Sequence, residues 1–230
     1  MKRKALTVGR LGTVDYLQAL ELQERLLIAR QQEQVGDMLL LLEHPHVYTL
    51  GRGASESFVL TQPAEIPLHR VSRGGEVTYH GPGQLIGYPI LKLEGADRDV
   101  HGYLRKLEES IICALRLCGI ESSRRERLTG VWIGSRKVAS IGVGIKRWVT
   151  WHGFAVNVAT DLTRFDSIVP CGIEGCAMTS LAREGTSLSV DQFADLVEQE
   201  FGAEFGYSEM NTAGISELMD MRNSSAAIHA

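Results

Sequence analysis

The sequence predicts an α+β domain, with flanking helices packed on a mostly antiparallel or mixed β-sheet. Amphipathic helical stretches and short β runs are both present but do not alternate strictly, which disfavours a wound βαβ architecture. In the middle of the chain, closely spaced strands are divided by tight glycine turns such as Gly134-Ser135, and such turns join antiparallel neighbours. A chain of 230 residues suits one hydrophobic core. The expected division is a single domain over residues 1–206 and a polar, mobile tail over 207–230.

The elements follow in order. Thr13 or Asp15 caps a helix over about 15–33, whose apolar face is Tyr16, Ala19, Leu20, Leu26 and Leu27, interrupted by Gln23. Met38–Leu42 is short and solidly apolar, the mark of a buried strand. Residues 51–57 and 61–67 read as loops, rich in Gly, Ser and Pro. Short strands are expected at 68–72, 76–79 and 85–91, broken by glycines. A helix over 104–118 aligns Leu104, Leu107, Ile111, Leu115 and Cys118 and stops at Gly119. Strands follow at 131–133, 137–145 and 148–158, then a helix at about 190–203, where Ser189 and Gln192 fit a capping box.

Composition excludes several classes. Apolar residues are 44% and charged residues 23%, so disordered and coiled-coil readings fail for the bulk of the chain. The 24 basic and 28 acidic residues leave a net charge of −4, against a nucleic-acid partner, which would need a basic footprint. No uninterrupted apolar run is longer than the five residues of Met38–Leu42, too short for a membrane span. No apolar stretch of signal-peptide length follows Met1-Lys2-Arg3-Lys4, so a cytoplasmic location is expected.

The cysteines form two C-x4-C pairs. Cys113 and Cys118 fall about 140° apart around a helix and cannot pinch a metal there, so buried structural thiols are expected. Cys171, between Pro170 and Gly172, sits on a turn that can present its thiol to a ligand; a structural or surface thiol is the plain alternative. The densest feature is Arg73-Gly74-Gly75-Glu76-Val77-Thr78-Tyr79-His80-Gly81-Pro82-Gly83. It is neither a P-loop nor a dinucleotide fingerprint. It reads either as two tight turns around a strand or as backbone that approaches a ligand closely. On the strand after Gly134, Lys137 shares a face with Ala139, Ile141 and Val143, as a snorkelling lysine or a partly desolvated amine. His44 and His46 offer a His-x-His pair without a third metal ligand nearby. His80 and His152 each precede a glycine and suit either turns or a thiol site with Cys171.

These segments together resemble the octanoyltransferase family of lipoate biosynthesis. The resemblance runs through Leu42-Glu43-His44-Pro45, Val47-Tyr48-Thr49, Gly51-Arg52, Arg73-Gly74-Gly75 and His80-Gly81-Pro82-Gly83-Gln84-Leu85. It continues through Tyr88-Pro89, Gly130-Val131-Trp132, Arg136 to Gly142 and His152 to Asn157. It closes with Asp161-Leu162, Phe165, Ile168 to Ile173 and Thr179-Ser180-Leu181. It covers roughly 38–181 in order. The resemblance implies the fold of the biotin and lipoate protein ligases and transfer of an octanoyl group from acyl carrier protein to a lysine of lipoyl domains. Those acceptors would be 2-oxoacid dehydrogenase E2 subunits and glycine cleavage H protein. It places the nucleophile on Cys171 and its partner on Lys137. It places the acyl pocket on Arg73, Gly74, Gly75, Glu76, Val77, Thr78, Tyr79 and His80, with Ser140, Ile141, Gly142, Gly153, Phe154 and Ala155. No metal, nucleotide or other cofactor is expected, and the protein is expected to act as a monomer. Cys176 is a second thiol that the family pattern does not require.

The chemistry implied is thiolate exchange. A free cysteine is a few per cent thiolate at pH 7, and lowering a thiol pKa from about 8.5 to about 7 takes roughly 2 kcal/mol. A neighbouring ammonium can supply that, which is the expected role of Lys137. Supporting roles are expected for His152 and Gly172, and the candidate oxyanion donors are backbone N–H groups around Gly172 or in the glycine loop. Three alternatives remain at this stage: an ATP-dependent lipoate–protein ligase, a thiol hydrolase using Cys171, His152 and Asn157, and a non-catalytic acyl-binding module.

Overall fold

Met38–Leu42 is apolar throughout because its strand is covered on both faces. In the computed structural model, which describes residues 4–172, 175–214 and 218, this run lies in β2 (Asp37–Glu43). Leu39 and Leu41 face one core cluster, and Met38, Leu40 and Leu42 face another. The strand belongs to an eight-stranded sheet in the order β11-β1-β2-β6-β10-β9-β8-β7. Its other members are β1 (Ala5–Thr13), β6 (Gln84–Ile90), β7 (Ser123–Arg125), β8 (Leu128–Ile133), β9 (Arg136–Lys146), β10 (Val149–Asn157) and β11 (Glu209–Ala213). β1 runs parallel to β2 and β11, and every other pairing in this sheet is antiparallel, so the sheet is mixed. A second, three-stranded sheet has β3 (Val47–Leu50) between β4 (Leu68–Arg70) and β5 (Thr78–His80).

Among the described residues, three α-helices cover the large sheet. α1 (Tyr16–Gln31) is capped by Asp15, which accepts from the N–H groups of Leu17 and Gln18. It lays Ala19, Leu22, Leu26 and Leu27 on one face of the sheet. Leu20, expected on that apolar face, is only half-buried, and Leu22 packs in the core. α2 (Val100–Leu117) and α3 (Val190–Glu204) pack together on the other face through Leu107, Ile111, Phe193, Val197 and Phe201. Both sides of the Ser189–Gln192 capping box are formed.

Three expectations are corrected, and one strand appears where no element was expected. α2 begins one turn earlier than 104, because the Asp99 side chain accepts from the His101 N–H. Cys113 and Cys118 are half-buried rather than buried: Cys113 sits beside Glu109 and Arg116, and Cys118 is the residue that ends α2. Val47–Leu50 is a strand, because its four residues are buried against β4 and β5. Residues 209–213 belong to the sheet: Ala5 to Gly9 pair in register with Glu209 to Ala213. The unpaired edge of β1 gives this polar segment a backbone ladder that apolar content does not reveal. A tail starting at 207 therefore does not begin there; 215–217 and 219–230 lie outside the described residues.

Candidate active site

The glycine loop is stitched to β9. Gly74 donates its N–H to Val143 O at 2.9 Å. A Cβ on Gly142 would stand 2.9 Å from Gly74 O, so only a residue without one lets the loop lie this close. Between the loop and the β9–β10 hairpin is a cavity of about 210 Å³. Its apolar wall is Val77, Leu128, Ile141, Phe154 and Ala155. Arg73, Gly75, Glu76, Thr78, His80, Ser140, Gly142, His152 and Gly153 also line it, as does Lys137.

Two expected pocket residues are not among the lining residues. Tyr79 points away, because alternation along β5 sends Thr78 and His80 to the cavity and Tyr79 to the opposite face. There its hydroxyl meets His46 Nδ1 at 2.6 Å, and its ring packs on Tyr48 and Phe165. Gly74 contributes backbone that braces the loop rather than lining. Tyr16, Tyr88, Arg127, Leu128 and Thr129 line the cavity without having been anticipated. Tyr16 follows a recognisable cap and Tyr88 lies on a recognisable strand, but no sequence period reveals which cavity either one faces.

A directed hydrogen-bond chain fixes the polar end. The buried Arg73 guanidinium donates to Thr49 O at 2.7 Å and to Thr49 Oγ1 at 2.8 Å. Thr49 Oγ1 lies 3.4 Å from His80 Nε2, and His80 Nδ1 lies 2.9 Å from Gln84 Oε1. Gln84 Nε2 donates to Asn157 Oδ1, and Asn157 Nδ2 donates to Thr179 O, both at 2.9 Å. Burial, followed by the nearby His44, pushes His80 down to about 3, and burial with the Arg73 charge does the same to His152. Both are neutral rings at pH 7. His152 Nε2 is 3.3 Å from Ser72 Oγ, and Asn157 is spent on Gln84 and Thr179. His152 and Asn157 are thus not brought together as a hydrolase dyad.

The two histidines at 44 and 46 part company. His44 is held by Val14 O and the Tyr88 hydroxyl, each at 2.7 Å, while His46 meets Tyr79. Among the described residues, no group of three His, Cys, Asp or Glu side chains is arranged to hold a metal.

Lys137 is fully buried. Its Nζ donates to Thr129 O at 3.1 Å and stands 5.0 Å from the centre of the Trp132 ring, so a carbonyl oxygen and a π face both meet the amine. Its backbone is bonded on both sides: Lys137 N–H to Ala177 O at 2.8 Å, and Thr179 N–H to Lys137 O at 2.9 Å. This fastens the segment after Cys171 beside Lys137. Cys171 lies in a 3-10 turn, Pro170–Gly172; its side chain and residues 173–174 lie outside the described residues. A Cβ on Gly172 would be 2.8 Å from Glu76 Cγ, so the turn rests directly on a residue of the cavity lining. The Gly172 N–H closes this turn on Val169 O at 3.0 Å, which occupies the expected oxyanion donor.

Residues 15–202 match the lipoyl protein ligase A/B catalytic domain family. The chain is also 48% identical over 211 residues to an octanoyltransferase of Solibacter usitatus, spanning 90% of this chain and 96% of that one. This chain belongs to the octanoyltransferase family. A second octanoyltransferase, from Gloeobacter violaceus, is 50% identical over 196 residues, 85% of this chain and 88% of that one. Among solved structures, a lipoate-protein ligase A bound with ATP superposes with a TM-score of 0.77 at 15% identity, covering 96% of this chain and 92% of that one. That likeness establishes the shared α+β fold. As a member of the octanoyltransferase family, the protein is an acyltransferase of protein lipoylation.

Proposed function

We propose that the protein moves an octanoyl group from acyl carrier protein to a lysine of apo lipoyl domains through an octanoyl-Cys171 intermediate. The observation that carries this reading is the double backbone pairing of Lys137 with residues 177–179, at the margin of a largely apolar cavity whose lining also touches the Cys171 turn. In the first step the Cys171 thiolate attacks the donor's thioester carbon, and the carrier's thiolate leaves and takes up the proton that the Lys137 ammonium gives up. In the second, the acceptor lysine nitrogen attacks the acyl-cysteine carbon, an amide forms, and the Cys171 thiolate leaves. Lys137 serves as the cation beside the thiolate and, once neutral, accepts the proton shed by the incoming amine. Burying the six methylenes of the acyl chain offers roughly 5 kcal/mol.

The acceptors in this reading are 2-oxoacid dehydrogenase E2 subunits and glycine cleavage H protein. The acting unit in this reading is a monomer in the cytoplasm. Among the described residues no helix is long and apolar enough to cross a membrane. The ATP-dependent ligase alternative is not favoured, because the octanoyltransferase relatives match over most of the chain. The test is acylation of an apo lipoyl domain, read by its mass. Octanoyl-acyl carrier protein without ATP should support it. Acylation only with free octanoate and ATP would overturn the reading.

A further inference from the structure

Glu108 is a carboxylate on α2 with a completely buried side chain. Its two oxygens have separate duties. Oε2 accepts from Arg105 Nη1 at 2.6 Å and from Arg124 Nε at 3.1 Å, and Arg124 also reaches Glu109. Oε1 accepts from the Gly130 N–H at 3.0 Å. That N–H and the Thr129 carbonyl belong to one peptide unit, and the carbonyl is the group that accepts from Lys137 Nζ. The order is therefore carboxylate, peptide N–H, peptide carbonyl, lysine amine. A carboxylate on the N–H side aligns and polarises the peptide so that its oxygen becomes a better acceptor.

The peptide is also shaped for this approach. Gly130 has φ +136°, and a Cβ there would stand 2.6 Å from both Lys137 Cε and Ala139 O. A carboxylate that only tied α2 to the sheet through Arg124 would not need its second oxygen on this particular peptide.

We infer that Glu108 is a positioning residue for Lys137, acting through the Thr129–Gly130 peptide; the inference rests on the role proposed above for Lys137. Glu108→Gln removes the charge and keeps the shape. Arg105→Ala breaks an ion pair on Oε2 and leaves Oε1 on Gly130. Lys137→Met removes the amine.

The experiment measures the thermal midpoint of each variant and the rate of octanoyl-Cys171 formation against octanoyl-acyl carrier protein concentration. Glu108→Gln should lower the maximal rate by about ten- to a hundredfold, the scale of a mispositioned group, with the half-saturating donor concentration unchanged. Arg105→Ala should keep the maximal rate even where its midpoint falls. If Glu108→Gln does not fold, Glu108→Asp keeps the charge but draws the carboxylate back by one methylene, and the same rate loss is expected. A Glu108 variant that folds and matches Arg105→Ala in rate overturns the inference, with Lys137→Met still inactive. An active Lys137→Met would overturn the lysine reading itself, and this inference with it.

Discussion

Lys137 and Met178 face each other as a parallel bridge outside the main ladders, with hydrogen bonds on either side to Ala177 and Thr179. The bridge joins the strand that carries the buried amine to the segment that follows the thiol turn. Two residues far apart in sequence are thus held together by backbone, independently of their side chains.

The wall of the cavity predicts chain-length discrimination. Gly87 pairs across the sheet with Phe154, and a Cβ on Gly87 would overlap the Phe154 ring. Gly87→Ala must move that ring, at about 1–3 kcal/mol of strain. Because Phe154 lines the cavity, kcat/KM should fall about tenfold for an octanoyl donor and markedly less for a butyryl donor. An equal loss for both would mean general damage to the fold.

Gln23 is buried in the apolar face of α1 and accepts the His152 N–H at 2.8 Å. His152 adopts φ +53°, a left-handed conformation that a non-glycine residue holds only with support. Gln23→Leu leaves that N–H unpaired, at about 1–3 kcal/mol. It also removes an Nε2 that has no partner among the described residues, so the net loss belongs at the low end. Urea unfolding measures it; equal or greater stability would contradict the account.

Acid should destabilise the fold before most carboxylates titrate. Burial holds His44 at about 4, and His80 and His152 at about 3, against an ordinary 6.5. Below 6.5 the unfolded chain takes up protons that the native rings refuse. The stabilisation is therefore complete above about pH 6.5 and is lost as pH falls toward 4 and then 3. The slope reaches about 1.4 kcal/mol per pH unit for each histidine. Urea midpoints should drop steadily from pH 7 to 5; a flat profile would refute the neutral, buried assignment.

Cys176 is half-buried and lines a separate cavity of about 440 Å³ with Phe165, Ile168 and Met178. Cys176→Ser should leave transfer intact and reduce alkylation to the remaining reactive thiol. Loss of transfer from a folded variant would make the single-nucleophile reading incomplete.

Much of this arrangement was legible in the sequence, for reasons that differ between elements. Ser189 and Gln192 marked one helix start, and Asp15 was one of two candidate caps for another, because capping is local chemistry. The family resemblance placed the glycine cluster and the strand around Lys137 in one pocket, and residues of both line the cavity. What stayed hidden depends on partners distant in sequence. The strand at 209–213 forms because β1 offers an open edge. The turn after Lys146 uses Arg147 and Trp148, both at positive φ, where a glycine signal would be sought. Gln23 looked like a flaw in an apolar stripe; its role appears only once His152 is opposite. Leu128 and Thr129 joined the site through β8, whose sequence carries no mark of the cavity it borders.

The central claim is a covalent acyl-enzyme on Cys171. Intact-protein mass spectrometry after mixing with octanoyl-acyl carrier protein, before any acceptor is added, tests it most directly. The account predicts a gain of one octanoyl group, mapped to Cys171 and discharged by apo lipoyl domain. A folded enzyme that shows no adduct yet transfers the chain once the acceptor arrives would contradict it, and would mean direct transfer between the two substrates.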